Sequence, residues 1–242
     1  PTEVHLSSEF AYEQPLLSEK PFFIFLTQSG ETADSREVLQ NVNAQGFKSL
    51  TLTNVEKSTL WREATYALPL AGPEIAVAST KAYVAQVALQ AILAYAIADR
   101  ATLGFDLEQD LSKIAVGIQG IVDDKETLQQ VANQYLVESR NAFFIGRGVD
   151  STVSLEAALK LKEISYVQAE GFAAGELKHG TLALIEDGTP VIALITQAKT
   201  AGLVRGNFAE TQARGSRAYT IVTQSLAKEG DDFILPDVNE LL

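Results

Sequence analysis

The chain has 242 residues, 46% of them hydrophobic, enough to bury a core in one large domain or two small ones. Its formal charge of −12 at pH 7 argues against a nucleic-acid or anionic-membrane surface, so any phosphate it binds must be held locally, against the overall field. With no cysteine there is no disulfide, no thiolate metal site and no cysteine nucleophile, and no apolar run is long enough to span a bilayer.

At the start, EVHLSSE holds His5, which reads as a strand or surface residue rather than a catalyst. No signal peptide precedes it, so a cytoplasmic protein is expected. Methionine is absent, and the sequence runs from Pro1 to Leu242 without an initiator, as expected of an excised fragment whose modified methionines were left out. PFFIFL (Pro21 to Leu26) is a short apolar run that suits a buried strand. The loop TQSGET follows, and then ADSREVLQNVNAQG puts Val38, Leu39 and Val42 on one helical face and stops at Gly46, a C-cap. SLTLTN (Ser49 to Asn54) is the next strand, which completes a βαβ unit and implies a parallel sheet with helices on its faces.

IAVAST leads into TKAYVAQVALQAILAYAIADRA, a helix apolar nearly all round and therefore expected to be mostly buried. Asp106 to about Arg140 reads as two amphipathic helices bridging two halves. The pattern then restarts: NAFFIGRGVDS is strand, glycine loop and helix start, and STVSLEAALKLKEISY is the helix. PVIALIT and YTIVTQ are further strands, separated by a helix ending near Gly215, and KEGDD near Asp231 reads as a solvated loop. The expectation is an α/β chain of two tandem, doubly wound parallel-sheet subdomains, three-layer sandwiches of flavodoxin-like or Rossmann-like type. They take residues 1–120 and 121–242, with ligands at the carboxyl ends of the strands.

The loop Thr27–Thr32 lies between a strand end and a helix start, where backbone N–H groups lack intrahelical partners and the helix dipole favours an anion. With the hydroxyls of Thr27, Ser29 and Thr32 it can bind a phosphate monoester without any cationic side chain. It lacks the GK[ST] ending of a nucleotide P-loop. The competing reading is that Ser29 or Thr32 only caps the helix. In SLEAALKLKEISY, Glu156, Lys160 and Glu163 are four and three apart and share a helical face, while Lys162 points elsewhere. On spacing alone they form a solvated Glu–Lys face. The leucines around them imply a largely buried helix instead, on which a carboxylate is a tunable base. His179, between Gly175 and Gly180, is read as an accessible loop imidazole.

TQSGETADS, AGPEIAVASTKAY, GRG, LEAALKLKEISY and GELKHG occur in this order, and over essentially the whole chain they resemble the isomerase domain of the glucosamine-6-phosphate synthases. Those glutamine–fructose-6-phosphate aminotransferases are built on paired sugar-isomerase (SIS) modules. The loop motif is shared by many sugar-phosphate proteins; KLKEISY with GELKHG is far more specific. By this resemblance Thr27, Gln28, Ser29 and Thr32 match the phosphate loop, with Thr27 in place of the usual serine, and Val77 and Ser79 match sugar-lining positions. Ser79 and Thr80 also suit an N-cap of the long helix. Glu163 matches the isomerisation base, Lys160 its partner in proton traffic, and His179 the histidine that assists ring opening.

The resemblance implies fructose 6-phosphate and glucosamine 6-phosphate as ligands, no metal or redox cofactor, and a role in amino-sugar and cell-wall precursor synthesis. It also implies a homodimer in which that histidine reaches the neighbouring subunit's sugar. A glutaminase domain and an opening strand with a CGTS-type loop are expected before Pro1, and a lysine-bearing tail after Leu242. Other readings on the same fold are a different sugar-phosphate isomerase or deglycase, and a non-catalytic sugar-phosphate sensor. Glu163 and His179 speak against the sensor, as does the lack of a helix-turn-helix segment or basic surface.

Overall fold

The computed structural model describes residues 2–13, 20–72, 76–98 and 103–242, and the chain divides into two compact units, Pro1–Ala98 and Asp99–Leu242. In chain order the first unit has α1 (Ser7–Phe10), β1 (Phe22–Leu26), α2 (Ala33–Ala44), β2 (Lys48–Thr53), α3 (Thr59–Glu63), β3 (Tyr66–Pro69) and α4 (Lys81–Ile97). Its sheet is parallel, in the order β1-β2-β3, with Leu26 beside Leu52 and Thr53 beside Pro69. The middle strand β2 is buried from Ser49 to Thr53, whereas β1 at the edge alternates, leaving Phe22, Ile24 and Leu26 about half exposed. Helices cover both faces. Phe25 packs with Val38, Leu39 and Val42 of α2 and with Leu60, while Leu50, Leu52 and Leu70 meet Ala85, Leu89 and Leu93 of α4. Leu39, Leu52 and Leu60 are fully buried, and truncating any of them to alanine costs about 2–5 kcal/mol.

The second unit has α5 (Leu107–Asp123), α6 (Lys125–Tyr135), β4 (Asn141–Gly146), α7 (Val149–Ser165), β5 (Gln168–Ala173), two short 3₁₀ turns (Ala174–His179 and Thr181–Leu184), β6 (Pro190–Ile195), α8 (Ala201–Gln212), β7 (Arg217–Thr223) and β8 (Phe233–Leu235). Its sheet is also wholly parallel, in the order β5-β4-β6-β7-β8. The side chains of β4 separate the two faces. Phe143 and Ile145 join Leu177, Val204 and Phe208, and on the reverse side Ala142 packs with Ala158, Val167 and Ala169, with Phe144 and Leu161 against them. The doubly wound three-layer arrangement expected from the sequence is therefore present in both units, and among the described residues no helix is long and apolar enough to cross a membrane.

Five features differ from the sequence reading. The units divide after Ala98 rather than Gly120, because α5 belongs with the second unit, where Gly117 lies against Pro236. The helix expected from Thr80 to Ala101 runs only from Lys81 to Ile97, and residues 99–102 lie outside the described ones. Nor is α4 mostly buried: a helix apolar all round needs cover all round. One stripe finds it on the sheet, while Val84, Val87 and Ile92 are more than 40% exposed. In α7 the stripe that meets the sheet is small (Ser154, Ala158), so the helix sits close and Leu155, Leu159 and Ile164 turn outward, not inward as expected. Finally, KEGDD is an exposed loop at Lys228, Glu229 and Gly230, as expected, but its two acids are tied down. Asp231 takes a two-pronged bond from Arg205 at 2.8 and 2.7 Å, and Asp232 accepts from the Thr220 amide and hydroxyl.

Candidate functional site

In the first unit the carboxyl ends of β1, β2 and β3 lie side by side, so the segments starting at Thr27, Asn54 and Leu70 leave from one edge of the sheet. Thr27 is buried and its Oγ1 accepts from the Gly30 amide at 3.1 Å, while Ser29 Oγ accepts from the Glu31 amide at 3.2 Å. These bonds fold the loop back on itself. Gly30 adopts a left-handed φ of +67°, and a Cβ there would lie 2.0 Å from Ser58 Oγ, so neither the backbone conformation nor the space admits another residue. Gln28 lends its carbonyl to the Asn54 amide and the Thr53 hydroxyl, which ties the loop to the end of β2. Thr32 is the N-cap residue of α2 by position, yet its side chain makes no capping hydrogen bond and is exposed. The reading of Thr32 as a cap alone therefore fails. Val77 is almost wholly exposed and Ser79 half-buried, both leading into α4. Pro73 to Ile75 of the AGPEIAVAST motif lie outside the described residues.

In the second unit the loop after β4 has a different content. A Cβ at Gly146 would sit 2.4 Å from the backbone carbon of Asp150, which draws the start of α7 tightly over the strand end. Asp150, 2% exposed in the first turn of α7, accepts from the Thr196 amide at 2.9 Å and the Thr196 hydroxyl at 2.5 Å. Arg147 is turned away to Asn207, with bonds of 3.2 and 3.0 Å.

Further along α7, Lys160 lies 2.8 Å from Glu163 and 3.6 Å from Glu156, all three side chains 22–28% exposed. Partial burial draws the Lys160 pKa down, but the bond to Glu163 and the charges of Glu156 and Glu163 outweigh it and leave the ammonium above its ordinary range. A charged ammonium thus stays fixed beside a carboxylate at neutral pH. His179 ends the first 3₁₀ turn and is exposed; Leu177, two residues before it, packs among Phe143 and Ile145, whereas α7 packs against Ala142 and Phe144. Within one chain, Glu163 and His179 therefore lie on opposite faces of the same sheet. The structure joins Thr27–Thr32 into one loop and Lys160 with Glu163, but separates His179 from that pair. His5, half-exposed, meets Glu3 and the ring of Phe10.

The sequence reading missed the second wall of the first loop. Glu31 Oε1 accepts from the Thr59 amide at 2.7 Å, Ser58 is 3% exposed, and neither Ser58 Oγ nor Asn54 Nδ2 has a hydrogen-bond partner. The signal was available: ligands gather at the ends of neighbouring parallel strands, so the residues after β2 belong beside those after β1.

Comparison with known proteins adds the following. Residues 1–96 and 135–233 match the SIS domain family. Two curated relatives, both named glutamine–fructose-6-phosphate aminotransferase (isomerizing), align with the whole chain: one from Lactiplantibacillus plantarum at 67% identity, one from Shouchella clausii at 59%. The chain spans 41% of the length of each. The solved C-terminal domain of glucosamine-fructose-6-phosphate aminotransferase from Francisella tularensis superposes with a TM-score of 0.84 at 31% identity, over 98% of this chain and 69% of that one. A glucosamine-6-phosphate deaminase from Thermotoga maritima shares the fold, with a TM-score of 0.78 at 22% identity over 96% of this chain and 68% of that one.

Proposed function

The chain belongs to the SIS domain family, and from that premise we propose that it is the sugar-phosphate isomerase domain of a glutamine-dependent fructose-6-phosphate aminotransferase. The observation that carries the proposal is the 67% identity, over every residue of the chain, to a relative bearing that name. The phosphate of fructose 6-phosphate anchors in the loop of Thr27, Gln28, Ser29 and Thr32, and Val77 and Ser79 line the sugar. His179 promotes ring opening. Ammonia condenses at C2 with loss of water, Glu163 takes a proton from C1 to give an enolamine, and protonation at C2 yields glucosamine 6-phosphate. Lys160, hydrogen-bonded to Glu163, assists the proton's passage. Phosphate contacts remote from the reacting carbons supply the positioning that proton transfer needs.

The opposite-face placement of Glu163 and His179 supports a homodimer in which each sugar meets Glu163 of one chain and His179 of the other. A glutaminase domain elsewhere in the full-length protein supplies the ammonia, since this chain has no cysteine to attack glutamine. The setting is cytoplasmic amino-sugar synthesis, toward UDP-N-acetylglucosamine. Titration calorimetry of the purified chain with glucosamine 6-phosphate should give saturable binding; no heat at millimolar ligand would overturn the proposal. With fructose 6-phosphate and glutamine the same chain should form no glucosamine 6-phosphate.

A further inference from the structure

We infer that Glu31 is a positioning residue for the anion loop: its carboxylate, bonded to the Thr59 amide, holds residues 27–32 in the shape that receives phosphate. The inference rests on the phosphate-binding role proposed above for that loop. Four hydrogen bonds join the loop to the β2–α3 connection. Three of them end on loop backbone carbonyls: the Asn54 amide and Thr53 hydroxyl on Gln28, and the Leu60 amide on Gly30. The fourth, from Thr59 to Glu31 Oε1, is the shortest at 2.7 Å and ends on a side chain, so substitution can remove it without touching the backbone. It crosses 28 residues of sequence and lies immediately after Ser58, the residue pressed against Gly30.

The same bond settles an electrostatic difficulty. Glu31 sits between Ser29 and Thr32, and a carboxylate free to swing there would repel a phosphate. Fixed on the Thr59 amide, with Arg36 Nη1 3.9 Å from its other oxygen, it directs its charge toward the start of α3. Hydrogen bonding from Thr59, its hydroxyl first and its amide second, holds the Glu31 carboxyl below its ordinary range.

The test separates reach from charge. Glu31→Gln keeps an acceptor at the right distance, Glu31→Asp keeps the charge but is one methylene too short, and Glu31→Ala keeps neither. We expect Gln to bind glucosamine 6-phosphate within about threefold of the parent, and Asp and Ala to bind at least about tenfold more weakly. Melting temperatures should stay within about 2 °C, because Glu31 is largely exposed. Thr59→Pro removes the donor at the first helical position, where proline is tolerated, and Ser58 before it already has the extended backbone (φ −59°, ψ 168°) that proline requires. It should weaken binding as Glu31→Ala does, and the double variant should lose nothing more. If the parent chain binds no sugar phosphate, the proposed function fails. If the parent binds and Glu31→Ala binds equally, or Glu31→Gln is as weak as Ala, the positioning role is wrong.

Discussion

The loop after β1 and the loop after β4 start from one plan, an apolar strand, a glycine turn and a helix, and they end differently. In the first, the residues at the helix start include hydroxyl-bearing ones, the N-cap side chain of Thr32 makes no capping bond, Asp34 stands in the first turn, and the loop's own carboxylate, Glu31, is drawn off to α3. In the second, the helix start holds its own anion: Asp150 is buried against Thr196, and the loop's arginine is committed to Asn207. Both helices present the same positive end. The difference lies in where each loop's acid goes: Glu31 is tied to the start of α3, whereas Asp150 is buried against Thr196 at the end of β6. On the function proposed above it also divides the labour, with phosphate assigned to the first unit and the acid–base pair to α7 in the second.

That division is tested most severely by Glu163→Gln, in the complete isomerase domain. The variant is nearly isosteric but cannot accept a proton, so exchange of the C1 or C2 hydrogen should fall at least about a hundredfold. Affinity for glucosamine 6-phosphate should hold. Solvent-deuterium incorporation by NMR at the parent rate would make Glu163 a structural acid and leave the second unit without its proposed chemistry.

Next in size is Asp150→Ala. It leaves the Thr196 amide and hydroxyl without their acceptor in a buried place, at a cost of about 1–3 kcal/mol of stability. A urea titration should show the loss while sugar-phosphate affinity stays at the parent value. An Asp150→Ala chain that loses sugar-phosphate affinity in step with its stability would show that the second loop serves the ligand after all.

The plan common to both loops was legible in the sequence because it is periodic. FFIF and AFFI are apolar runs cut off by glycine, and Val38, Leu39 and Val42 recur at helical spacing. Their different contents were only half legible. Thr27 to Thr32 stand together in sequence, whereas Asp150 is paired with Thr196 across 46 residues and Glu31 with Thr59 across 28. No local pattern announces such pairs. Burial of α4 and α7 was misjudged for a related reason: composition counts apolar residues, but the sheet covers only one stripe of each helix. Tyr66–Pro69 and Gln168–Ala173 escaped notice as strands since one is short and the other carries a glutamate and a glycine.

Thr32→Ala probes the open loop directly. Losing one hydroxyl donor to a doubly charged phosphate should cost about 1–2 kcal/mol of affinity, with folding unaffected because that side chain caps nothing. Calorimetry with glucosamine 6-phosphate is the measurement. Unchanged affinity in the folded variant would remove Thr32 from the site.

The smallest effect concerns how the second unit uses its carboxylates. Asp231, like Asp150, is spent internally, on Arg205 and the Lys228 amide, with its side chain only 5% exposed. The Arg205 hydrogen bond holds its carboxyl below the usual range, against the opposing pull of burial. A carboxyl depressed in the folded state contributes stability that is complete above its unfolded pKa, near 3.8, and is lost as pH falls through the lower folded value. Asp231→Asn should therefore cost at least about 1 kcal/mol at neutral pH, since its Nδ2 cannot accept the bonds that one carboxylate oxygen takes, and less as pH falls through the folded pKa. Hydrogen exchange resolved by segment should show this loss in β6, α8 and β7, with the strands of the first unit unmoved. A variant as costly at pH 2 as at pH 7 would mean that Asp231 acts by shape alone, and the contrast between an open first unit and a charge-filled second would then rest on Asp150.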